Sequence, residues 1–227
     1  MNIQADSLRK VFGRVEAVSR ISFSIDEGEF VGLVGPNGAG KSTTIKMLTG
    51  QLFPSDGKVL ICGIDMAVDP NLGRAELGYV PEFPELYSYL SAREMLEFVQ
   101  EIRGKGDIEW ALDITGLGSD ADRLIREYSQ GMRRKTAIAC AMIAKPKVLI
   151  LDEALNGLDP PSVERVLAAL EELREQGTTI LLSTHVLDTL ERVATRIIML
   201  KKGCVAFDGS PTEIPELRKR FYQEGSS

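Results

Sequence analysis

The sequence is poor in residues that staple a fold or hold a metal. Its 227 residues include three cysteines and one histidine. Cys62, Cys140 and Cys204 are odd in number, far apart and outside any CxxC spacing, and a lone histidine offers no second nitrogen ligand. That pattern excludes a disulfide framework and a zinc site, and it fits thiols kept reduced in the cytosol. Excess positive charge is missing too. The 27 Lys and Arg face 33 Asp and Glu, a net charge of −6, so the chain lacks the cationic surplus from which affinity for nucleic acid arises, and no nucleic-acid partner is expected. No stretch approaches the roughly 18 consecutive apolar residues of a membrane-crossing helix, and the opening MNIQADSLRK has no signal-peptide core. The expectation is a cytoplasmic chain that reaches a membrane only through a partner.

What is present is a chain long enough to bury roughly 70% of its unfolded surface without staples. Short apolar runs alternate with helical patterns, the mark of an α/β fold with a largely parallel sheet. Residues 3–30 read as extended pieces broken at Gly13 and Glu27-Gly28, with no helix before Lys41. Phe30 to Val34 is a buried strand, Lys58 to Cys62 and Leu77 to Val80 are further strands, and Lys41 to Leu48 opens a helix. From Ser91 to Lys145 the pattern is helix after helix, with Met95, Leu96, Phe98 and Val99 expected on one face, and Ile138, Cys140, Ala141 and Ile143 in the last helix. The α/β pattern resumes with KVLILDE, a helix opening at Pro160-Pro161 with Val163, Val166, Leu167, Leu170 and Leu173 on one face, and the strand TTILLST. A hairpin is expected around Lys202-Gly203 and a polar helix from Thr212. The chain divides into an α/β core with a β subdomain, residues 1–83 and 146–227, and a helical subdomain, residues 84–145.

Three elements carry chemistry. Gly35-Pro36-Asn37-Gly38-Ala39-Gly40-Lys41-Ser42-Thr43 matches GxxxxGK[ST] between a buried strand and a helix, the setting a phosphate loop requires. Its glycines let backbone N–H groups turn onto phosphates, the helix start adds positive potential, Lys41 supplies a point charge near the β/γ oxygens, and the Ser42 hydroxyl is a ligand for Mg²⁺. A Gly-rich turn that merely starts a helix is the alternative, and the flanking strand and the Lys-Ser pair speak against it. Second, VLILDE ends in Asp152, suited to organise Mg²⁺ through water, and Glu153, suited to polarise attacking water as a general base. Third, His185 follows the next strand. A lone histidine there is commonly structural, but loops after successive parallel strands converge on one ligand, which puts His185 in reach of a γ-phosphate and its attacking water. Tyr128-Ser129-Gln130-Gly131-Met132 opens a helix, a weak motif alone. Ser129 and free N–H groups there make an anion site too far from the phosphate loop to touch the same nucleotide in one chain, which implies a dimer with shared sites.

In order and spacing these elements resemble the nucleotide-binding subunit of an ATP-binding cassette (ABC) transporter, over Leu8 to about Gly209. GPNGAGKST resembles the Walker A element, VLILDE the Walker B, YSQGM the signature, Asn156-Gly157-Leu158-Asp159 the D-loop and Ser183-Thr184-His185 the switch. The resemblance implies a phosphate-loop NTPase (RecA-like) core with an N-terminal antiparallel β subdomain and an inserted α-helical subdomain. It also implies ATP and Mg²⁺ as ligands, Phe12 stacking on adenine, Asp159 in the D-loop at the nucleotide, catalytic roles for Lys41, Glu153 and His185, and Ser129 and Gly131 reaching the partner's ATP. Two departures stand out. Glu82, in Tyr79-Val80-Pro81-Glu82-Phe83, replaces the glutamine that approaches Mg²⁺ and links the site to the membrane partner; an ionised carboxylate accepts but cannot donate. Tyr128, Gln130 and Met132 replace residues of the common LSGGQ. Both are features of the short exporter ATPases that pair with ABC-2-type permeases.

The implied activity is ATP hydrolysis that energises a separate membrane permease, with a second ATP-binding subunit and a position on the inner face of the cell membrane. A non-transport ABC ATPase is the rival. No long heptad coiled coil separates Walker A from the signature and there is one phosphate loop, which speaks against chromosome-maintenance and translation-type members. A nucleotide-binding module without turnover conflicts with the presence of Lys41, Asp152, Glu153 and His185. Arg133-Arg134-Lys135 are expected to form a solvated face or to pair with nearby acids, and Arg218-Lys219-Arg220 carries no assigned role.

Overall fold

The computed structural model describes residues 1–213. Three strands are buried along their whole length: β3 (Phe30–Val34), β7 (Val148–Asp152) and β8 (Thr179–Ser183). Continuous apolar runs of this kind suit a parallel sheet covered on both faces. With β6 (Leu77–Val80), β9 (Arg196–Lys201) and β10 (Cys204–Gly209) they form a six-stranded sheet of order β10-β9-β3-β8-β7-β6, parallel except for the β9-β10 hairpin. That hairpin turns at Lys202 and Gly203, both left-handed, where it was expected.

Alternation along the central strands splits the core. Leu149, Leu151, Ile180 and Leu182 face a layer of three helices, α5 (Gln130–Met142), α6 (Pro160–Glu175) and α7 (Leu187–Val193). Val148, Ile150, Leu33 and Leu181 face α1 (Lys41–Leu48) and a second, antiparallel sheet. This second sheet has the order β2-β1-β4-β5, from β1 (Ile3–Phe12), β2 (Val15–Ile25), β4 (Asp56–Ile61) and β5 (Ile64–Asp65).

Between β6 and β7 the chain builds a third cluster of its own, from α3 (Ala92–Arg103), α4 (Ile108–Thr115), the segment from Leu117 to Tyr128 and the C-terminal end of α5 around Ala139 and Ile143. Ser91 closes a full capping box with Glu94 at the start of α3, and Gly104 and Gly116 end α3 and α4 in left-handed caps. The apolar face expected for α3 is covered only in part. Met95 and Leu96 are buried and Val99 is half-buried, but Phe98 is exposed and packs edge-on against Tyr87, with ring centroids 5.5 Å apart. At about 100° per residue the four positions share an arc of about 160°, but buried Ala92, Met95 and Leu96 with Val99 fill a stripe of about 100°, and Phe98 lies about 60° outside it. The helix α2 (Pro70–Ala75) was not anticipated, although Asp69 accepting from Leu72 N at 3.0 Å and Pro70 at the first position are an ordinary helix start. The expected helix from Thr212 and the basic run at 218–220 lie outside the described residues, apart from a short 3-10 turn at Pro211–Glu213. No helix among the described residues is long and apolar enough to cross a membrane.

Candidate nucleotide site

Register brings the chemistry to one edge. Leu33 pairs with Ser183 and Asp152 pairs with Ser183, so the C-terminal ends of β3, β8 and β7 lie side by side, with β6 next to β7. The loops that follow these four strands are the phosphate loop, the Thr184-His185 segment, the Glu153 turn and the Glu82 loop. Together they surround a cleft of about 590 Å³ lined by residues 35–43, Glu82, Glu153, Asn156 and His185. Ligands in open α/β sheets bind outside the carboxyl ends of the strands in this way.

The phosphate loop needs its glycines. Gly40 has φ of 104° and caps α1 without any side-chain bond; a Cβ there would sit 2.7 Å from Ala17 O. The helix start is therefore open to an anion. Lys41 is buried, and its Nζ donates to Gly35 O at 2.7 Å, folding the ammonium over the loop.

Asp152 lies beneath this surface, 3% exposed. Among the described residues its Oδ1, Thr44 Oγ1 and Ser183 Oγ have no hydrogen-bond partner. Burial pushes the Asp152 carboxyl above its ordinary 3.8, while the hydroxyls of Ser183 and Ser42 close by oppose that rise. A carboxylate whose folded pKa is raised lowers stability as pH climbs through the interval between its unfolded and folded values. Without ligands, Asp152→Asn is therefore expected to melt at the same or a higher temperature than the parent above that interval, and below it the difference should shrink; a pair of melting curves across pH checks this.

Glu153 occupies a left-handed backbone, φ 49°, which side-chain-bearing residues rarely adopt. Its N–H donates to Ser183 O at 3.0 Å. Its Oε2 accepts from Asn156 Nδ2 at 2.8 Å and lies 3.1 Å from His185 Nδ1. With the carboxylate ionised, Nδ1 carries the proton and Nε2 is the free face of the ring. His185 itself is exposed, with 64% of its side chain accessible, against 12% for Glu153.

Other expected site residues stand apart from the cleft. Phe12 is 49% exposed at the end of β1, with Lys10 Nζ 5.3 Å above its ring, so it is no core aromatic. Ser129 caps α5 by accepting from Met132 N, and Gly131 lies beside Gly157 O of the D-loop. Asp159 caps α6, accepting from Ser162 N at 3.0 Å and Ser162 Oγ at 2.7 Å, and these bonds hold its carboxyl below the usual range. Two residues are conspicuous that the sequence reading did not single out. Asn156 orients the Glu153 carboxylate, and its position three residues on in the D-loop was the available signal. Contrary to expectation, Arg134 is partly buried and, among the described residues, pairs with no acid; it donates to the carbonyls of Glu82, Glu153 and Asn156.

A strand-loop-helix phosphate cradle, an acidic strand end and a histidine on the neighbouring loop define a phosphate-loop nucleoside triphosphatase. Residues 18–156 match the ABC transporter family model. The chain belongs to that family, as one of its ATP-binding cassettes. It is 35% identical over 226 residues to the bacitracin transport ATP-binding protein BcrA of Enterococcus faecalis, covering 98% of this chain and 73% of that protein. A solved ATP-binding subunit of an ABC transporter aligns with a TM-score of 0.88 at 32% identity, over 100% of this chain and 96% of that one. The dimeric bacterial ABC transporter cassette MJ0796 gives a TM-score of 0.82 at 27% identity, over 92% and 98%.

Proposed function

We propose that the chain hydrolyses ATP to ADP and phosphate and thereby drives a separate membrane permease, in the direction of export. The observation that carries this reading is the Glu153 carboxylate, nine-tenths buried yet lining the cleft opposite the phosphate loop, between Asn156 and His185. Lys41 and the open N–H groups of α1 bind the β and γ phosphates. Glu153 takes a proton from the water that attacks phosphorus, ADP leaves with the bridging oxygen, and His185 holds the carboxylate through Nδ1 while its Nε2 faces the γ-phosphate. Phe12 supplies an apolar face for adenine.

The unpartnered buried oxygens of Asp152, Thr44 and Ser183 suit a hydrated divalent cation. Ser42 and Asp152, with Glu82 at the cleft wall, would hold Mg²⁺, whose contribution is to neutralise charge on the phosphates. The Asp152→Asn chain is then expected to lose the rise in melting temperature that Mg-ATP confers on the parent.

A second subunit completes each site. Ser129 and Gly131 lie off the cleft of their own chain, and the cassette MJ0796 is itself dimeric. Asp159, already bonded to Ser162, acts through the D-loop it anchors. For the membrane partner, the supporting surface is apolar and exposed: Phe83 at 77%, Tyr87 at 60%, Tyr89 at 75% and Ile102 at 67%. Ile102 also lines a groove of about 270 Å³, with Pro84, Leu86 and Val99, in the helical layer, residues 84–145 in this reading. Export is favoured by 34% identity over 218 residues to a Nod factor export ATP-binding protein of Paraburkholderia xenovorans. Pull-down of the tagged chain from membranes tests the assignment. A multispan membrane protein should co-purify and raise its ATPase rate, and recovery of a purely soluble, nucleic-acid-associated chain would contradict it.

A further inference from the structure

Arg134, in the second turn of α5, reaches out of the helical layer to loops 19, 22 and 52 residues away in sequence. Its Nη2 donates to Glu82 O at 2.7 Å, and its Nη1 donates to Glu153 O at 3.4 Å and to Asn156 O. All three acceptors are neutral carbonyls, and among the described residues Arg134 forms no ion pair. The arrangement is specific in what it holds. Glu153 is the one member of the β7 turn with a left-handed φ and a side chain, so its peptide groups need outside partners to stay where they are. Ser183 O takes the N–H, and the carbonyl accepts from Asn156 N at 3.2 Å within the turn and from Arg134 Nη1 at 3.4 Å from outside it. Arg134 also holds the Asn156 carbonyl, while the Asn156 amide holds Glu153 Oε2. Both ends of the Glu153–Asn156 turn are thus tied to one guanidinium, which the Glu82 carbonyl keeps in place.

We propose that Arg134 is the positioning residue that sets the Glu153 carboxylate for its work on the attacking water. This rests on the reading of Glu153 as the base. The planar fork of arginine can address several carbonyls at fixed angles, which a single ammonium cannot. Because α5 begins at Ser129, any engagement of that helix start by a nucleotide in the partner's cleft is passed along one rigid helix to the base.

The test is steady-state ATPase kinetics of the full chain with Mg-ATP, on Arg134→Ala, Arg134→Lys, Asn156→Ala and the Arg134→Ala/Asn156→Ala double variant. Displacement of a reacting group by an ångström can cost about a hundredfold, so kcat of Arg134→Ala is expected to fall by about 10–100-fold. KM for ATP should move less than about threefold, since ground-state binding is untouched. Arg134→Lys should recover little. The double variant should be no worse than the weaker single one, because both act through the same carboxylate. Wild-type kcat in Arg134→Ala, full recovery in Arg134→Lys, or fully additive losses would each overturn the proposal. If Arg134→Ala does not fold, Arg134→Lys keeps the stem and charge and decides alone: lost kcat at unchanged KM supports the role, wild-type kcat refutes it. Normal kcat in Arg134→Ala alongside an inactive Glu153→Gln sinks the positioning role only, whereas an active Glu153→Gln removes the base and this proposal with it.

Discussion

Glu153→Gln is expected to bind ATP as the parent does and to release phosphate about 10²–10⁴-fold more slowly, the range a positioned general base contributes. The substitution is nearly isosteric. Asn156 Nδ2 keeps an acceptor in the amide oxygen, the backbone bond to Ser183 O is untouched, and the fold should melt within a few degrees of the parent. What disappears is the anionic oxygen that receives the proton from water in the proposed mechanism. ATP then stays intact in the cleft, and a dimer that dissociates after hydrolysis should persist. Size-exclusion chromatography with Mg-ATP is expected to show a dimer for Glu153→Gln under conditions where the parent returns to monomer. Turnover near the parental rate would remove Glu153 from the base role.

Lys41→Ala is expected to act one step earlier, on binding. Lys41 is buried, and its ammonium lies over the phosphate loop with Gly35 O as its nearest acceptor. Removing one member of a buried, charge-assisted contact costs about 2–4 kcal/mol, or about 30–1,000-fold in affinity for ATP. The loop itself should survive, because its shape is set by Gly40 at φ 104° and by the strand and helix on either side rather than by the ammonium. Titration with a fluorescent ATP analogue measures the affinity, and a melting curve without nucleotide confirms that the loss is local. The two variants therefore separate: one binds and stalls, the other fails to bind.

Much of this was legible before any coordinates. Phe30–Val34, Val148–Asp152 and Thr179–Ser183 read as central strands because fully buried strands must be apolar throughout, and once they are parallel neighbours their carboxyl ends meet. The phosphate loop, Asp152, Glu153 and His185 follow from that convergence. The failures have physical causes as well. Phe98 shares the apolar side of α3 but sits at its edge, about 60° beyond the buried stripe, and how wide a stripe is covered depends on the packing partner rather than on hydrophobicity. The left-handed turn at Glu153 leaves no trace in composition, since nothing but glycine advertises positive φ. Arg134 looked like one charge of a basic run because its acceptors are main-chain carbonyls. A carbonyl is present at every position, and only the fold decides which three stand around a guanidinium.

The central claim is that ATP is hydrolysed between two cassettes, each supplying half of the site, and two copies of this chain are the pair that can be tested. Mixing two dead variants tests it. Lys41→Ala lacks a working phosphate loop but keeps the signature; Ser129→Arg keeps the loop but blocks the signature. Neither homodimer has an intact site. In the mixed dimer one site carries both lesions and the other carries none, so an equimolar mixture is expected to recover about a quarter of parental ATPase activity. No recovery, with dimer formation verified, or full activity of Ser129→Arg alone, would contradict the shared site.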